Sequence, residues 1–216
     1  MKNNLIKYYQ KRAKEYDLVY QKPERQVDLK ILKKYLQRAF KYKYIKEIAC
    51  GTGYWTRIIA ETAKFIYATD INAEVLAIAK ENSPEYPNYL FVQLDLWSFI
   101  HKEETLDGIF GGFIWSHILK ADLPRFLNLM KRFILKEGSL IFIDNKYVEG
   151  SSTPIARTDE NGNTFQIRKL QNGAEYEVLK NFPAEEEIAK LITDLSLKME
   201  WIELDYYWIL KLKKSR

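Results

Sequence analysis

A short glycine-rich stretch between a predicted strand and a predicted helix constrains this chain more than any other feature. Residues 47–56 read Glu-Ile-Ala-Cys-Gly-Thr-Gly-Tyr-Trp-Thr, with an apolar strand-like run before them and a helix-like run after them. A strand, a tight glycine turn and a helix make up the first unit of a nucleotide-binding α/β fold. Gly51 and Gly53 let a ligand approach the main chain closely, and unpaired N–H groups at the helix start can hold a polar ligand.

The residues of this turn do not fit a ligand that binds through phosphate groups. The dinucleotide fingerprint needs a third glycine three residues after the second, and Thr56 occupies that position. A phosphate site also favours Lys or Arg, and neither residue occurs from Cys50 to Thr56. The turn therefore predicts a different kind of nucleotide or nucleoside.

Three carboxylates are expected on successive strands, at Glu47, Asp70 and Asp95. In nucleotide-binding α/β folds, a ribose-binding carboxylate follows the glycine turn by ~20 residues, and Asp70 lies close to that position. A carboxylate can accept hydrogen bonds from both ribose hydroxyls. The alternative role, a helix N-cap, suits Asn72 better. The series favours a nucleoside that lacks phosphates.

The segment from Glu47 to Gly53 resembles motif I of the class I S-adenosylmethionine-dependent methyltransferases, with Ala49 where that family usually has glycine. The resemblance implies S-adenosylmethionine as the cofactor. It also implies that Asp95 meets the adenine amino group while the main-chain N–H of Leu96 meets a ring nitrogen. The expected cofactor-binding residues of this core are Glu47, Ala49, Cys50, Gly51, Gly53, Trp55, Asp70, Ile71, Asp95, Leu96 and Phe113.

The N-terminal segment is predicted to be a helix from Leu5 to Tyr20, because its apolar and aromatic residues recur at three- and four-residue steps. Its sequence resembles the N-terminal segment of small-molecule methyltransferases, including those of quinone biosynthesis. The resemblance implies a lid over the cofactor, with Tyr9, Arg12 and Tyr16 facing the methionine part. An amphipathic helix that packs its tyrosines on the core is the open alternative.

A histidine follows the predicted fourth strand, Asp107–Phe113, at the sheet edge where open α/β sheets place their chemistry. Imidazole titrates near neutrality, so we interpret His117 as a substrate contact or general base and as the catalytic candidate. A polar loop residue or a helix cap is the alternative.

A long loop and a β-hairpin are predicted after the fifth strand. Residues 148–163 are rich in turn-forming types, and the alternating runs 164–170 and 176–180 flank a second turn. A connection of this length is often functional, and residues 149–183 also resemble a bacterial methyltransferase subgroup. The substrate-binding candidates are His117, Tyr147, Arg157, Gln166 and Arg168, with solvated strand residues as the alternative.

The predicted fold is α/β: a doubly wound, mostly parallel seven-stranded sheet, the Rossmann-like methyltransferase fold, with an antiparallel seventh strand. A hairpin insertion after strand 5 and an N-terminal helical lid are added to it. We expect one domain over residues 1–216. Its parts are a lid at 1–40, a cofactor-binding core at 41–147, a loop and hairpin insertion at 148–183, and a C-terminal helix with strands at 184–216.

These features predict an S-adenosylmethionine-dependent methyltransferase that moves a methyl group to an O, N or C nucleophile of a small molecule. A tRNA or rRNA methyltransferase is one alternative, because seven Lys or Arg and no acidic residue occur from Lys30 to Lys46. A non-catalytic cofactor-binding protein is another. A solvated helix face explains the basic run more simply, since no aromatic RNA-binding motif accompanies it.

Composition sets the remaining expectations. The 216-residue chain has a net charge of +5 and one cysteine, which excludes an intrachain disulfide. No apolar run reaches the length of a membrane span, and the N-terminus does not read as a signal peptide. We therefore expect a cytoplasmic enzyme that acts on a small molecule, without a metal ion, a membrane span or a nucleic-acid partner.

Overall fold

A seven-stranded sheet forms the centre of the computed structural model, which describes residues 2–83, 88–100 and 102–215. Its strands are β1 (Tyr44–Ile48), β2 (Phe65–Asp70), β3 (Tyr89–Gln93), β4 (Leu106–Gly112), β5 (Ile134–Asn145), β9 (Leu197–Glu203) and β10 (Tyr207–Lys214). The strand order is β3-β2-β1-β4-β5-β10-β9. Only β10 runs antiparallel to its neighbours β5 and β9. The predicted doubly wound, mostly parallel sheet is confirmed.

Helices cover both faces of this sheet. They are α1 (Lys2–Arg12), α2 (Gln26–Ala39), α3 (Tyr54–Ala60), α4 (Ala73–Glu81), α5 (Leu123–Phe133) and α6 (Glu185–Ile192). The predicted N-terminal helix changes character part-way, because α1 continues as a 3-10 helix over Ala13–Gln21. Among the helices in the described ranges, none is long and apolar enough to cross a membrane.

Two apolar layers pack on the sheet because successive residues of a strand point to opposite faces. Phe110 of β4 belongs to one layer, together with Leu32 and Leu36 of α2. Its neighbour Ile109 belongs to the other layer, together with Met130 of α5. All five side chains are fully buried. Burial on both faces holds the parallel strands rigidly in register.

The strand order reverses at β1, and this reversal positions the site. The chain passes from β1 to β2 and β3 in one direction, and β4 and β5 lie on the other side. Connections then leave the carboxyl ends of β1 and β4 in opposite directions and open a crevice between them. Ligands of open α/β sheets bind in this crevice.

A second, three-stranded antiparallel sheet follows β5. Its strands are β6 (Arg157–Thr158), β7 (Thr164–Lys169) and β8 (Glu175–Leu179), in the order β6-β7-β8. The pair β7–β8 is the predicted hairpin. The short strand β6 lies inside the segment predicted as loop, because two residues are too few to give a strand pattern. This small sheet packs beside α1 and forms one side of the site.

Candidate active site

The glycine turn between β1 and α3 contains three residues in the left-handed backbone region. They are Gly51 with a φ of 58°, Gly53 with a φ of 75°, and Ala49 with a φ of 51°. A β-carbon added at Gly53 would lie 3.0 Å from Cζ of Phe91, so a larger residue would have to displace that ring and would also be strained by the positive φ. Ala49 adopts the same kind of conformation with a methyl group, which strains the backbone by about 1–2 kcal/mol.

Two substitutions in this turn should differ clearly in their effect on stability. Gly51→Ala is expected to lower the free energy of unfolding by about 1–2 kcal/mol, because it adds left-handed strain. Ala49→Gly is expected to change it by less than about 1 kcal/mol, because relief of strain offsets the greater freedom of the unfolded chain. Urea unfolding of both variants tests this, and equal losses would contradict it.

Asp70 ends β2 beside this turn. Its carboxylate accepts the main-chain N–H of Gly51 at 3.0 Å and that of Asn72 at 2.9 Å. Burial raises the pKa of Asp70 above its ordinary value, although these hydrogen bonds oppose the shift. A carboxylate can accept about four hydrogen bonds in all, so that of Asp70 has capacity left for a ligand. Asp70 is thus held rigidly and can still accept hydrogen bonds from a ligand.

An acidic cavity opens at the carboxyl ends of β1, β2 and β3. We define it by Ala49, Asp70, Ile71, Asp95 and Leu96, and it comprises two adjoining spaces of about 240 and 110 Å³. Its lining in the described part of the chain includes no Lys or Arg and four carboxyl side chains, one of which, Glu177, is paired with Arg157. Such a lining disfavours phosphate and suits a neutral or positively charged nucleoside.

A basic cavity of about 240 Å³ lies on the other side of α1. We define it by its five cationic residues Arg12, Lys22, Arg25, Arg168 and Lys180. Within the described ranges, no Asp or Glu lines it. The predicted substrate contact Gln166 also lines it and is fully buried. The two cavities therefore have opposite charge.

Four side chains line both cavities and separate them: Tyr9, Tyr16, Phe113 and His117. We call them the shared wall. Tyr9 lies 2.6 Å from Nε2 of His117, and Nδ1 of His117 lies 2.6 Å from the carbonyl oxygen of Leu179. A carbonyl can only accept, so Nδ1 of His117 carries a proton, and both ring nitrogens are engaged. In the neutral imidazole, Nε2 accepts the Tyr9 hydroxyl.

The surroundings of His117 keep it neutral. Burial, and then the nearby Lys180, hold the pKa of His117 well below its usual range, although Asp144 acts in the opposite direction. A histidine that is neutral when folded must gain a proton when it unfolds at low pH. His117 therefore lowers stability as the pH falls below about 6.5, the ordinary pKa of histidine.

His117→Asn tests this pH dependence. Below pH 6, the free energy of unfolding of the original protein should fall relative to that of the variant by up to about 1.4 kcal/mol per pH unit. Asparagine keeps a donor for the Leu179 carbonyl but does not titrate. Urea unfolding of both proteins from pH 5 to pH 8 measures the difference. A difference that is constant over this range would contradict a neutral, buried His117.

The N-terminal segment is tied to the glycine turn. Thr52 donates a hydrogen bond to Asp17 at 2.5 Å, and Tyr20 stacks on Tyr54 with ring centroids 3.7 Å apart. The ring of Tyr16 lies over Gly51, 3.7 Å from where a β-carbon would be. Residues of the segment line the acidic cavity, among them Leu5 and Tyr16, and the closing of the segment as a lid stays a prediction.

Several predicted cofactor residues lie beneath the turn rather than in either cavity. Trp55 is buried in the apolar layer, because α3 turns it toward the sheet, and Cys50 of the turn is buried in the same layer. Gly53 packs against Phe91. Glu47 is buried and accepts the Thr56 hydroxyl at 2.5 Å, and burial raises its pKa to about 8. Their contribution is to hold the turn.

The predicted substrate contacts separate into two groups. Gln166 and Arg168 line the basic cavity, and so does Arg12, which was predicted to face the methionine part of the cofactor. Arg157 does not line it, because its guanidinium pairs with Glu177 at 2.6 Å on the exposed side of the small sheet. Tyr147 is 38% exposed and packs its ring against Phe182 instead.

Sequence reasoning missed Asp144, Lys180 and Arg25. Asp144 ends β5 and is fully buried, and its carboxylate pairs with Lys180 at 2.8 Å. Burial alone would raise the pKa of Asp144, but Lys180 and the adjacent hydrogen bonds hold it below its ordinary value. The position of Asp144 near a strand end could have identified it as a candidate site residue. No sequence pattern around Arg25 or Lys180 indicates that these two residues line the same cavity.

Comparison with known proteins identifies the core of this chain. Residues 45–138 match the methyltransferase domain family. This match agrees with the predicted resemblance to the S-adenosylmethionine-dependent methyltransferases. The cofactor and the small-molecule acceptor stay predictions.

Two curated relatives match parts of the chain. A 2-phytyl-1,4-naphthoquinone methyltransferase of Thermosynechococcus vestitus is 28% identical over 49% of this chain and 48% of its own length. An uncharacterized methyltransferase of Bacillus cytotoxicus is 23% identical over 64% of this chain and 63% of its own length. The chain thus spans between about half and two thirds of these relatives.

Solved structures show the same fold along nearly the whole chain. DhpI in complex with SAH superposes with a TM-score of 0.81 at 22% identity, over 99% of this chain and 96% of that one. A DhpI-SAM-HEP complex gives 0.80 at 22% identity, over 98% and 96%. An Aquifex aeolicus SAM-dependent methyltransferase gives 0.67 at 18% identity, over 94% and 97%.

Proposed function

We propose that this protein transfers a methyl group from S-adenosylmethionine, bound in the acidic cavity, to a small molecule bound in the basic cavity. One observation carries the proposal: Tyr9, Tyr16, Phe113 and His117 line both cavities, so a donor and an acceptor would meet at the shared wall. The relative named for a naphthoquinone and the DhpI complex with SAM and HEP support a small-molecule acceptor.

The acidic cavity fits the cofactor. Asp70 would hold the ribose hydroxyls through its remaining acceptor capacity, and Asp95 with Leu96 would meet the adenine edge. The left-handed turn at Gly51 would bring main-chain groups close to the nucleoside. The absence of Lys and Arg from the described lining agrees with a cofactor that has no phosphate.

Bound S-adenosylmethionine supplies a methyl group on a positively charged sulfur. The chain's own residues exclude water and align the acceptor at the shared wall, which is where most of the rate acceleration of such a transfer comes from. Burial raises the pKa of Tyr16 to about 12 and that of Tyr9 further, so both hydroxyls stay neutral. They can orient an acceptor but do not serve as bases at neutral pH.

His117 is proposed to orient Tyr9, because its Nε2 accepts that hydroxyl. Its predicted role as a general base stays a prediction. The low pKa of the imidazole makes it a weak base, which favours an acceptor that needs little help in losing a proton.

Calorimetric titration with SAH and an assay of SAH release from S-adenosylmethionine test the proposal. We expect SAH to bind, and SAH release to increase when a small-molecule acceptor is added. Absence of SAH binding would overturn the proposal. Binding without turnover across a broad acceptor panel would support the non-catalytic alternative, and turnover only with RNA would support the RNA methyltransferase alternative.

A further inference from the structure

Three arginines of the basic cavity have no carboxylate partner in the described part of the chain. Arg168 donates to the side-chain oxygen of Gln166 at 2.6 Å. Arg25 donates to the side chains of Asn145 at 3.1 Å and Ser151 at 3.0 Å. Arg12 lies over the ring of Tyr16, 5.5 Å from its centroid. Neutral groups thus position all three guanidinium groups.

Of these three arginines, Arg12 and Arg168 are partly buried and Arg25 is buried, so the lack of a carboxylate partner is most costly at Arg25. Arg25 is 4% exposed, and its Nε has no hydrogen-bond partner. A buried charge without a partner carries a desolvation penalty of several kcal/mol. A folded protein tolerates such a penalty where a bound ligand of opposite charge removes it, so uncompensated buried charges are typical of binding sites.

The nearest acidic groups do not cancel this charge. Asp144 pairs with Lys180, and its carboxylate also accepts the main-chain N–H of Ser116 at 2.9 Å. Glu24 lies 3.9 Å from Lys22 and is exposed. Both carboxylates lie outside the lining of the cavity, which leaves three arginines uncompensated.

We propose that the basic cavity binds a phosphate-type group, a tetrahedral dianion carried by the methyl acceptor. This inference rests on the proposed function and names the class of its acceptor. A guanidinium presents a planar fork that matches the oxygens of a phosphate or phosphonate. Several such forks from different segments suit a tetrahedral group better than a single flat carboxylate.

Hydroxyl groups at the same cavity complete the set of donors. The Ser152 hydroxyl accepts the main-chain N–H of Val148 at 3.0 Å, so its own hydrogen is available to a ligand. The neutral hydroxyl of Tyr16 lines the cavity from the side of the shared wall. The anionic group would therefore lie at the arginines, and the remainder of the acceptor would extend toward Tyr9 and His117.

The separation of charge between the two cavities supports this assignment. The acidic cavity attracts the cationic cofactor and repels an anionic acceptor, and the basic cavity does the reverse. Each ligand is therefore directed to its own side of the shared wall. Electrostatic repulsion therefore disfavours each ligand in the wrong cavity, and attraction favours it in the right one.

Calorimetric titration of the SAH-saturated protein with inorganic phosphate tests the inference. We expect binding that weakens by about 10- to 100-fold in Arg168→Met, because one charged hydrogen-bonding group contributes that much. The matched control is Arg38→Met, which removes an exposed arginine of α2 outside both cavities and should change the affinity less than about 2-fold. Should Arg168→Met fail to fold, Lys22→Met takes its place, with an expected loss of about 3- to 10-fold.

Two further ligands define the class and the source of the anion. Malonate should bind more weakly than phosphate, and tighter malonate binding would overturn the phosphate-type assignment. Glycerol phosphate, a monoester, should bind at least as tightly as inorganic phosphate, because the proposed group belongs to a larger acceptor. Binding of inorganic phosphate alone would identify a free-phosphate site and overturn the proposal.

The titration with SAH separates this inference from the proposed function. If the protein binds no SAH, the proposed function fails. If SAH binds but phosphate does not, or if Arg168→Met and Arg38→Met bind phosphate equally, the anionic acceptor is wrong while the proposed function stands. SAH affinity that is unchanged within about 3-fold in Arg168→Met would show that this variant keeps its fold.

Discussion

Replacing Asp70 with alanine is expected to weaken SAH binding by about 100- to 1,000-fold. The carboxylate already holds the N–H groups of Gly51 and Asn72, and we propose that it also accepts the ribose hydroxyls. A hydrogen bond to a charged group contributes about 1.5–3 kcal/mol, so two of them account for a loss of this size.

Calorimetry on three proteins measures this effect. Asp70→Asn keeps the shape and one acceptor oxygen, so its affinity should fall between those of Asp70→Ala and the original protein. Asp194→Ala removes an exposed carboxylate that lines neither cavity, and it should bind SAH normally. A thermal unfolding scan separates lost binding from lost fold. Normal affinity in Asp70→Ala would rule out Asp70 as a cofactor contact.

Replacing Lys180 with methionine is expected to lower the free energy of unfolding by about 3–5 kcal/mol. The reason is that the fully buried Asp144 would lose its cation while it stays charged. The same lysine donates to the Ser116 hydroxyl at 2.6 Å, so its removal also takes away one of the contacts between the end of β8 and the segment that precedes His117.

The double variant Lys180→Met/Asp144→Asn tests whether the unpaired charge of Asp144 causes the loss of stability. Because it removes the unpaired charge, it should recover at least about 1–2 kcal/mol relative to Lys180→Met. Lys169→Met, an exposed lysine on the same hairpin that lies 4.0 Å from Glu175, should cost less than about 1 kcal/mol. Urea unfolding provides all three values. A Lys180→Met protein as stable as Lys169→Met would contradict a buried ion pair.

The fold could be predicted from the sequence because each of its central elements has a local signal. The glycine turn after β1 marked the start of the sheet, and alternating helical and strand-like runs marked the rest. Two terminal strand patterns predicted β9 and β10, and the resemblance to the methyltransferase family implied the antiparallel direction of one of them. The change from α1 to a 3-10 helix at Ala13 had no such signal, because both helices produce similar spacing of apolar residues.

The acidic cavity could be predicted in part for the same reason. Asp70 and Asp95 come directly after predicted strands, and parallel strands bring their carboxyl ends to one edge. Trp55 was assigned to the cofactor from its position in the motif, but which way a helix faces depends on packing, and α3 turns Trp55 into the core.

The basic cavity could not be assembled from the sequence. Arg12, Arg25, Arg168 and Lys180 come from four separate segments, and only the packing of the small sheet against the N-terminal segment brings them together. Arg157 and Arg168 look equivalent on an alternating strand pattern. In the structure, Arg157 is satisfied by Glu177 on the outside, whereas Arg168 faces inward.

A crystal structure of the protein with SAH bound would test the central claim most directly, namely that the crevice beside the glycine turn is a nucleoside site. We predict that the adenosine lies in the acidic cavity, with its ribose at Asp70, its adenine at Asp95 and Leu96, and its sulfur facing the shared wall. Adenosine bound anywhere else, or a sulfur atom directed away from Tyr9 and His117, would contradict it.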